Sequence, residues 1–251
     1  MCEALKMIQE RVESSSCDVD PKFLELAKSL GIKSPIICDI GSRDASEGIF
    51  LLGQLGGARL HVFEPNPASA ARCRENLAPL QAEYGVDKIA FSQVAASDRN
   101  GSAAFYPVNL DRSENKDIGC SSLFRINPKY TKRRGHIAQE EIVVETITLD
   151  SYFTDRQPPD ILWIDVEGAE LKVLHGAASI LKNVKLIHVE VSFRAMHVGK
   201  PLFWEVDSYL RQCAFRFVFL VETSPFRGFL YRHKLLPNLP WHVNAVYVQN
   251  R

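Results

Sequence analysis

The chain has 251 residues, of which 46% are hydrophobic and 24% are charged. This length suits a single α/β domain with insertions, and the composition is that of a globular protein with a sizeable core. Its 30 Lys and Arg residues balance 30 Asp and Glu residues, which gives a formal net charge of +0. Such neutrality argues against a broad basic face, so neither nucleic acid nor an anionic membrane surface is expected as a partner.

The six cysteines form no C-x-x-C pair, so the sequence offers no paired thiolates for zinc, and buried free thiols are expected. The amino-terminal region carries charges at Glu3, Lys6, Glu10 and Arg11, which argues against a signal peptide. No stretch approaches the roughly 20 apolar residues of a membrane span. These features favour a reduced, cytoplasmic protein, and they leave a homo-oligomer open.

Residues 1–34 are predicted to form a polar lead-in and a short helix, which Pro21 begins and Gly31 ends. From residue 35 to residue 251, buried strands alternate with helices. This pattern predicts one α/β domain with a Rossmann-like, doubly wound sheet that is mostly parallel. The strands are predicted at residues 36–40, 60–64, 89–95, 161–165, 184–191, 215–221 and 243–248.

A polar stretch interrupts this alternation between about residues 99 and 150. Within it, the segment from Ile142 to Leu149 alternates and is rich in β-branched residues, so we expect it to be a strand of an insertion rather than of the main sheet. The insertion also holds a basic loop. That loop is expected to be solvated, with a lid over an acidic acceptor as the alternative, and it contains Lys129, Lys132, Arg133 and Arg134.

Acidic residues stand at or just beyond the ends of most predicted strands. In an open α/β sheet, ligands bind beyond the carboxyl ends of the strands, and carboxylates buried there need a partner such as a cationic or hydroxyl-rich ligand. Gly41 permits a tight turn after the first strand. Glu64 follows roughly 20 residues later, at the spacing of a carboxylate that binds a ribose diol. Each feature alone fits a plain turn and a surface acid, but together they predict a nucleoside cofactor.

The turn itself separates two cofactor classes. A dinucleotide site requires G-x-G-x-x-G, and the second glycine of that motif is missing between Gly41 and Gly48. Asp44 and Glu47 would also repel a pyrophosphate. S-adenosylmethionine carries no phosphate, and nearby acids favour its ammonium and sulfonium groups. The turn Asp39-Ile40-Gly41-Ser42, followed by a helix from Ile49 to Leu55, therefore favours S-adenosylmethionine over NAD.

Several segments, in order over about residues 35 to 248, resemble the FkbM-type methyltransferases, a branch of the class I enzymes. Ile164-Asp165-Val166-Glu167-Gly168-Ala169-Glu170 is the most specific of them. The others are Cys38-Asp39-Ile40-Gly41-Ser42-Arg43-Asp44, Val62-Phe63-Glu64-Pro65-Asn66-Pro67, Val94-Ala95-Ala96-Ser97-Asp98, Thr148-Leu149-Asp150 and the stretch from Gly199-Lys200-Pro201-Leu202-Phe203 through Leu210.

The resemblance implies a seven-stranded sheet with an antiparallel last strand. It also implies methyl transfer to a hydroxyl oxygen, with a sugar or a natural product as the acceptor. Many relatives carry a glycine where this chain has Ala45, whose methyl group is expected to narrow the turn. By position, the methionine part of the cofactor would meet Asp39, Gly41 and Ser42, the ribose would meet Glu64 beside Pro65, the adenine would lie near Ser97 and Asp98, and the sulfonium side or the acceptor would face Asp165 and Glu167.

Transfer to a hydroxyl needs a group that accepts the hydroxyl proton. The candidates are Asp165, Glu167, Glu190 and His197, since all follow strand ends on the expected active edge. Glu190 as a structural acid and His197 as a packed loop residue are the alternatives. His188 lies within a strand and is expected in the core. The pair Asp165 and Glu167 offers too few ligands for a metal ion, so no metal is predicted.

Some assignments stay open at the level of sequence. Ser121 and Ser122 are candidates to close over the cofactor, and Ser122 is taken as a cofactor residue. Aromatic side chains form either the acceptor pocket or core: Phe193, Phe203, Trp204 and Trp241. N-methylation or C-methylation, a catalytically weak cofactor-binding module and an NAD-dependent oxidoreductase are the alternative functions. The oxidoreductase is disfavoured by the acidic turn.

Overall fold

The protein is described here by a computed structural model over residues 19–114, 118–221 and 241–250. Its strands are β1 (Ile36–Ile40), β2 (Arg59–Phe63), β3 (Ile89–Ser92), β4 (Ala95–Ala96), β5 (Gly101–Phe105), β6 (Ile142–Ile147), β7 (Ile161–Ile164), β8 (Leu186–Ser192), β9 (Phe215–Val221) and β10 (His242–Gln249). Its α-helices are α1 (Pro21–Ser29), α2 (Ser46–Gln54), α3 (Pro67–Tyr84), α4 (Pro128–Arg134), α5 (Leu149–Tyr152), α6 (Glu170–His175) and α7 (Phe203–Gln212).

Seven strands form the main sheet in the order β3-β2-β1-β7-β8-β10-β9. The pairs from β3 to β8 are parallel, and β10 is antiparallel to both of its neighbours. Every residue of β1 and β8 is buried, as expected for strands with both faces covered. The predicted Rossmann-like fold, mostly parallel with an antiparallel last strand, is confirmed.

The antiparallel direction of β10 decides which of its residues reach the ligand edge. The parallel strand β8 ends there at Ser192, and His242, the first residue of β10, is its register partner. Asn244 pairs in the same way with Glu190. The amino end of β10 therefore lies beside the carboxyl end of β8.

A second sheet of three strands, in the order β4-β6-β5, forms within and next to the insertion. It confirms that the segment beginning at Ile142 is not part of the main sheet. The predicted third strand over residues 89–95 was too long. The chain leaves the main sheet after Ser92, and Ala95 and Ala96 pair instead with Thr146 and Ile147.

Short local signals fix where the helices begin. Asp20 caps α1 by accepting a hydrogen bond from the amide of Lys22, and Pro21 stands at the first helical position. Asn127 and Pro128 do the same for α4. The basic segment predicted as a loop is therefore a capped helix. The side chains of Lys129 and Lys132 are exposed on it.

Helix α1 packs on the sheet through Phe23, whose ring meets Trp163 edge-on at 5.3 Å between centroids. This contact joins the amino-terminal helix to the same core as the strands. The side chains of Cys38, Cys73 and Cys120 are buried, and that of Cys213 is half-buried. Cys2 and Cys17 lie outside the described residues. Within the described ranges, no helix is long and apolar enough to cross a bilayer.

Candidate active site

The turn after β1 lies tightly between the ends of two neighbouring strands. Gly41 has φ +81°, and a β-carbon on it would stand 1.8 Å from the carbonyl oxygen of Asp165. Its amide donates to the carbonyl of Phe63, at 2.9 Å. Only glycine fits this position, because any side chain would collide with the turn after β7.

Asp39 stabilises this turn through side-chain hydrogen bonds. Its Oδ2 accepts hydrogen bonds from the Ser42 hydroxyl and from the amide of Gly48, the latter at 3.1 Å. Burial, followed by the charge of Glu47, raises the pKa of Asp39 to about 8. A β-carbon on Gly48 would lie 2.7 Å from Asp39 Oδ2, so glycine is required there too. Gly48 was not among the predicted site residues, although it stands in the first turn of the helix after Gly41.

Glu64 lies at the end of β2 with both carboxylate oxygens fixed. Oε2 accepts from the amide of Arg43 at 2.9 Å, and Oε1 accepts from the amide of Asn66 at 2.7 Å. Burial raises the pKa of Glu64 to about 7, against the lowering effect of these two hydrogen bonds. The carboxylate is therefore oriented by the backbone before any ligand arrives.

These groups border one cavity of about 310 Å³ beyond the carboxyl ends of the strands. That volume lies at the lower end of the range for small-ligand sites. Its wall includes the predicted residues Asp39, Gly41, Ser42, Glu64, Pro65, Asp165 and Glu167. An apolar part is formed by Val94, Ala95 and Ala96, and the insertion adds Phe105, Ile118, Gly119, Ser121 and Leu123.

Carboxylates gather at the other end of the cavity. Asp165, Glu167 and Glu190 each place an oxygen within 4.8 Å of the others. Glu167 has φ +54°, a left-handed conformation that is uncommon for a side-chain-bearing residue and typical of functional turns. Burial, and then the charges of neighbouring acids, raise the pKa values of Asp165 and Glu167 well above their ordinary range.

The buried ammonium group of Lys200 lies beside these carboxylates. Lys200 is 4% exposed, and its Nζ lies 3.6 Å from Glu190 Oε2. Its stem passes over Gly168, where a β-carbon would stand 2.9 Å from the β-carbon of Lys200. Three carboxylate oxygens are a possible ligand set for a divalent ion, but the ammonium of Lys200 would repel such an ion. The arrangement therefore does not by itself call for a metal.

Glu190 connects this group to His242. Oε1 of Glu190 is hydrogen-bonded to Nδ1 of His242, whose half-exposed side chain lines the cavity. Burial alone would raise the pKa of Glu190. The charge of Lys200 and the hydrogen bond to His242 outweigh burial and lower that pKa to about 2. Glu190 is thus an ionised acid behind a cavity-lining histidine.

Three of the predicted cofactor residues do not border the cavity. Ser97 is buried, and Asp98 forms an ion pair with Lys172 at 2.8 Å, because the chain turns into the second sheet at Ala95. Only the residues just before them face the cavity. Ser122 donates to the carbonyl of Glu167 at 2.8 Å and accepts from the amide of Phe124. It fastens the insertion to the turn, while its neighbour Ser121 reaches the cavity.

His197 does not fit the role of proton acceptor. It is 0% exposed, lies outside the cavity wall, and its Nε2 is 3.2 Å from the carbonyl oxygen of Cys120. Burial is the main reason that its pKa is lowered to about 4. A substrate has no route to this ring, so His197 packs the insertion against the domain.

The four aromatic candidates also lie away from the cavity wall. Phe193 and Phe203 pack against the main core, Trp241 packs on Tyr130, and Trp204 is 54% exposed. His188 stacks on Trp163 at 3.4 Å between ring centroids, which confirms its place in the core. Ala45 has φ +69°, is buried, and lies outside the cavity wall, so its methyl group does not narrow the ligand side of the turn.

Comparison with known proteins supplies a family for this site. The family described as the methyltransferase FkbM domain matches residues 39–217. The 2-O-methyltransferase NoeI of Sinorhizobium fredii is 31% identical over 199 residues, which cover 76% of this chain and 75% of that protein. The crystal structure of methyltransferase FkbM from Methylobacillus flagellatus is similar with a TM-score of 0.53 at 11% identity. That match covers 98% of this chain and 58% of the other, so this chain spans little more than half of that protein's length.

Proposed function

Because the chain belongs to the FkbM family of methyltransferases, we propose that it transfers a methyl group from S-adenosylmethionine to a hydroxyl oxygen of a sugar or a natural product. The observation that most directly supports the proposal is the position and orientation of the Glu64 carboxylate. Its carboxylate is held by two backbone amides at the cavity edge, beside the Gly41 turn. A ribose diol is the ligand that such a fixed double acceptor suits.

The remaining walls fit the other parts of S-adenosylmethionine. The apolar surface of Val94, Ala95 and Ala96 suits the face of an adenine ring. Asp165 and Glu167 suit a sulfonium, because the acidic group to which they belong outnumbers the buried ammonium of Lys200. When bound, S-adenosylmethionine supplies a methyl group made electrophilic by the positive sulfur. The residues of the chain orient it and keep water from the reacting atoms.

An NAD-dependent reaction is disfavoured by the start of α2. Helix amides that would bind a pyrophosphate are taken by carboxylates of the chain. Asp44 Oδ1 accepts from the amide of Ser46 at 3.1 Å, and Asp39 Oδ2 accepts from that of Gly48. Glu47 also lines the cavity there, so a phosphate would meet negative charge.

The choice of a hydroxyl acceptor is supported by the curated relative, which is named as a 2-O-methyltransferase. A site lined by carboxylates and by the amide of Asn244 offers acceptors for the hydrogen bonds of a polyol. A small-molecule or glycan hydroxyl is therefore the proposed partner.

The test is in two parts. Calorimetry with S-adenosylmethionine, S-adenosylhomocysteine and NAD should show binding of the first two and none of the third. Methyl-labelled S-adenosylmethionine is then offered with a panel of methyl glycosides, their 2-deoxy counterparts, and matched amines. Label in the glycosides but not in the amines supports O-transfer. Label in the amines alone, or binding of NAD alone, refutes the proposal.

A further inference from the structure

His242 and Glu190 form a hydrogen-bonded pair, of which the sequence pattern identified Glu190 but not His242. The histidine lines the cavity from the first position of β10, and the carboxylate lies beneath it on β8. The two strands are antiparallel neighbours, so both side chains are held by the sheet rather than by a loop. On the basis of the proposed function, we propose that His242 is the group that accepts the proton of the acceptor hydroxyl, with Glu190 and Lys200 as its positioning residues.

The hydrogen bond between the pair selects the tautomer that this role needs. Glu190 Oε1 accepts from Nδ1 of His242, so Nδ1 carries the proton and Nε2 has the lone pair. An ionised carboxylate behind an imidazole stabilises the imidazolium that forms when the ring takes up a proton. Glu190 is kept ionised by Lys200, whose Nζ lies 3.6 Å from its other oxygen.

The other acids on the cavity wall are less suited to the role. The pKa values of Asp165 and Glu167 are raised well above their ordinary range, first by burial and then by the charge of Glu190. Raised pKa values favour the protonated form of both carboxyl groups, and a protonated carboxyl group cannot accept the hydroxyl proton. If a bound sulfonium ionises them, they are its counter-charges. His197 is buried away from the cavity and has no access to an acceptor.

The chemistry balances with these groups alone. The acceptor oxygen bonds to the methyl carbon as the carbon–sulfur bond breaks, with its electron pair going to sulfur. The hydroxyl proton passes to Nε2 of His242 and leaves to solvent after the product departs. The half-exposed ring gives that proton a route out. Lys200 and Glu190 keep their charges throughout.

The position of Asn244 indicates how an acceptor is held. Residues 242 and 244 alternate with 243 along β10 and point to the same side of the sheet. Asn244 lines the cavity, and its Oδ1 is buried without a hydrogen-bond partner in the part of the chain that the structure describes. A second hydroxyl next to the reacting one would satisfy that oxygen, so a vicinal diol fits the pair His242 and Asn244.

The test uses the full chain and two readouts. In the first, histidine-labelled protein is studied by nitrogen NMR with S-adenosylhomocysteine, and His242 is assigned by its loss in His242→Ala. We expect the tautomer protonated at Nδ1, and a changed His242 signal in Glu190→Gln. A ring protonated only at Nε2, or a signal unmoved in Glu190→Gln, overturns the proposal.

In the second readout, methyl transfer to methyl glycosides is compared in His242→Ala and in the control His136→Ala, whose side chain is exposed on the insertion. General-base loss typically costs about 10²–10⁴ in rate. We expect kcat to fall at least 100-fold in His242→Ala, to be partly restored by added imidazole, and to stay unchanged in His136→Ala. Binding of S-adenosylhomocysteine should change less than twofold.

The second readout also separates the two proposals. A kcat in His242→Ala within threefold of the wild type overturns the role of His242 and leaves O-methylation intact. If the wild-type protein binds S-adenosylhomocysteine but labels no glycoside, the proposed function fails, and the NMR result still decides whether the pair has the required tautomer.

Discussion

Gly168 and Lys200 are packed so closely that a β-carbon on the glycine would lie 2.9 Å from the β-carbon of the lysine. The glycine also has φ +113°, outside the range that side-chain-bearing residues adopt readily. This contact lets a buried ammonium cross the turn that carries Glu167 and reach the acidic group. The Glu-Gly step in the Ile-Asp-Val-Glu-Gly-Ala-Glu string therefore has a steric cause.

We expect Gly168→Ala to lower the free energy of unfolding by about 2–4 kcal/mol, because backbone strain and a collision act together. Activity should fall as well, since Lys200 and Glu167 must shift. The matched control is Gly101→Ala. Gly101 has φ +137°, but a β-carbon added to it would meet nothing within 4 Å among the described residues. Urea unfolding of both variants separates the effect of the collision from that of the backbone conformation. Equal losses in the free energy of unfolding would contradict a collision at Gly168.

The sequence predicted the sheet well because its signals are local. Buried apolar runs such as residues 36–40 and capping residues such as Asp20 depend on a few neighbours in the chain. Glu64 and Gly41 were expected at the ligand edge for the same reason, since their positions follow from a strand, a turn and a spacing, and both line the cavity. The predicted third strand ran too far, because only the partner Thr146, distant in sequence, shows that Ala95 belongs to a second sheet.

The site was predicted less completely, and His242 shows why. Candidates were sought at the carboxyl ends of the strands, which is correct for parallel neighbours. An antiparallel strand brings its amino end to that edge instead. With the last strand expected to be antiparallel, its first residue was the one to inspect. His197 was chosen because it follows β8 in sequence, but burial against Cys120 depends on tertiary contacts that the sequence pattern does not show.

The stability of the ligand-free protein should depend on pH through Glu64. The pKa of Glu64 is raised from 4.5 to about 7 in the folded state. A carboxyl group with a raised pKa stabilises the folded state fully at pH values below its pKa in the unfolded chain. This stabilisation is lost as the pH rises towards 7. Glu64→Gln removes this loss. The free energy of unfolding of Glu64→Gln, relative to that of the wild type, should therefore rise by about 3 kcal/mol between pH 4.5 and pH 7.

Urea unfolding across that pH range measures the effect. Loss of a backbone hydrogen bond in the glutamine variant adds a constant offset, which does not alter the slope. The matched control is Glu83→Gln, which makes the same substitution at an exposed position on α3. A constant difference between Glu64→Gln and wild type would show that Glu64 titrates normally.

Ligand binding should depend on Glu64 in the opposite sense. Ribose hydroxyls donate to an ionised carboxylate, and the ionised fraction of Glu64 rises as pH passes about 7. We expect the affinity for S-adenosylhomocysteine to increase about tenfold from pH 6 to pH 8 in the wild type. Glu64→Gln should bind more weakly at pH 8 and lack this increase. Calorimetry at three pH values measures the affinity of both proteins. An affinity of Glu64→Gln that is lower at every pH but rises as steeply as that of the wild type would contradict this prediction.

His188 should weaken the fold in acid. Its ring is buried against Trp163, neither ring nitrogen has a hydrogen-bond partner among the described residues, and burial lowers its pKa from 6.5 to about 3. A depressed histidine pKa means that stability is lost as pH falls below 6.5, because the unfolded chain takes up the proton first. His188→Phe should resist acid by up to about 4 kcal/mol at pH 3. Unchanged acid unfolding by circular dichroism would contradict this.

Lys200 and Glu190 should be coupled much more strongly than the exposed pair Lys172 and Asp98. The first pair is buried on both sides at 3.6 Å, whereas about a third of each side chain in the second is exposed at 2.8 Å. Removing one member of a buried pair leaves an uncompensated charge, which costs about 3–5 kcal/mol, whereas an exposed pair contributes less than about 1 kcal/mol. The exposed pair therefore interacts more weakly despite its shorter distance, because solvent screens its charges.

A double-mutant cycle tests this ranking. Lys200→Met and Glu190→Gln should each destabilise the protein, and the double variant should lose at least about 1.5 kcal/mol less than the sum of the two. The matched cycle on Lys172→Met and Asp98→Asn should show coupling below about 0.5 kcal/mol. Additive losses at Lys200 and Glu190 would mean that the ammonium does not neutralise this carboxylate.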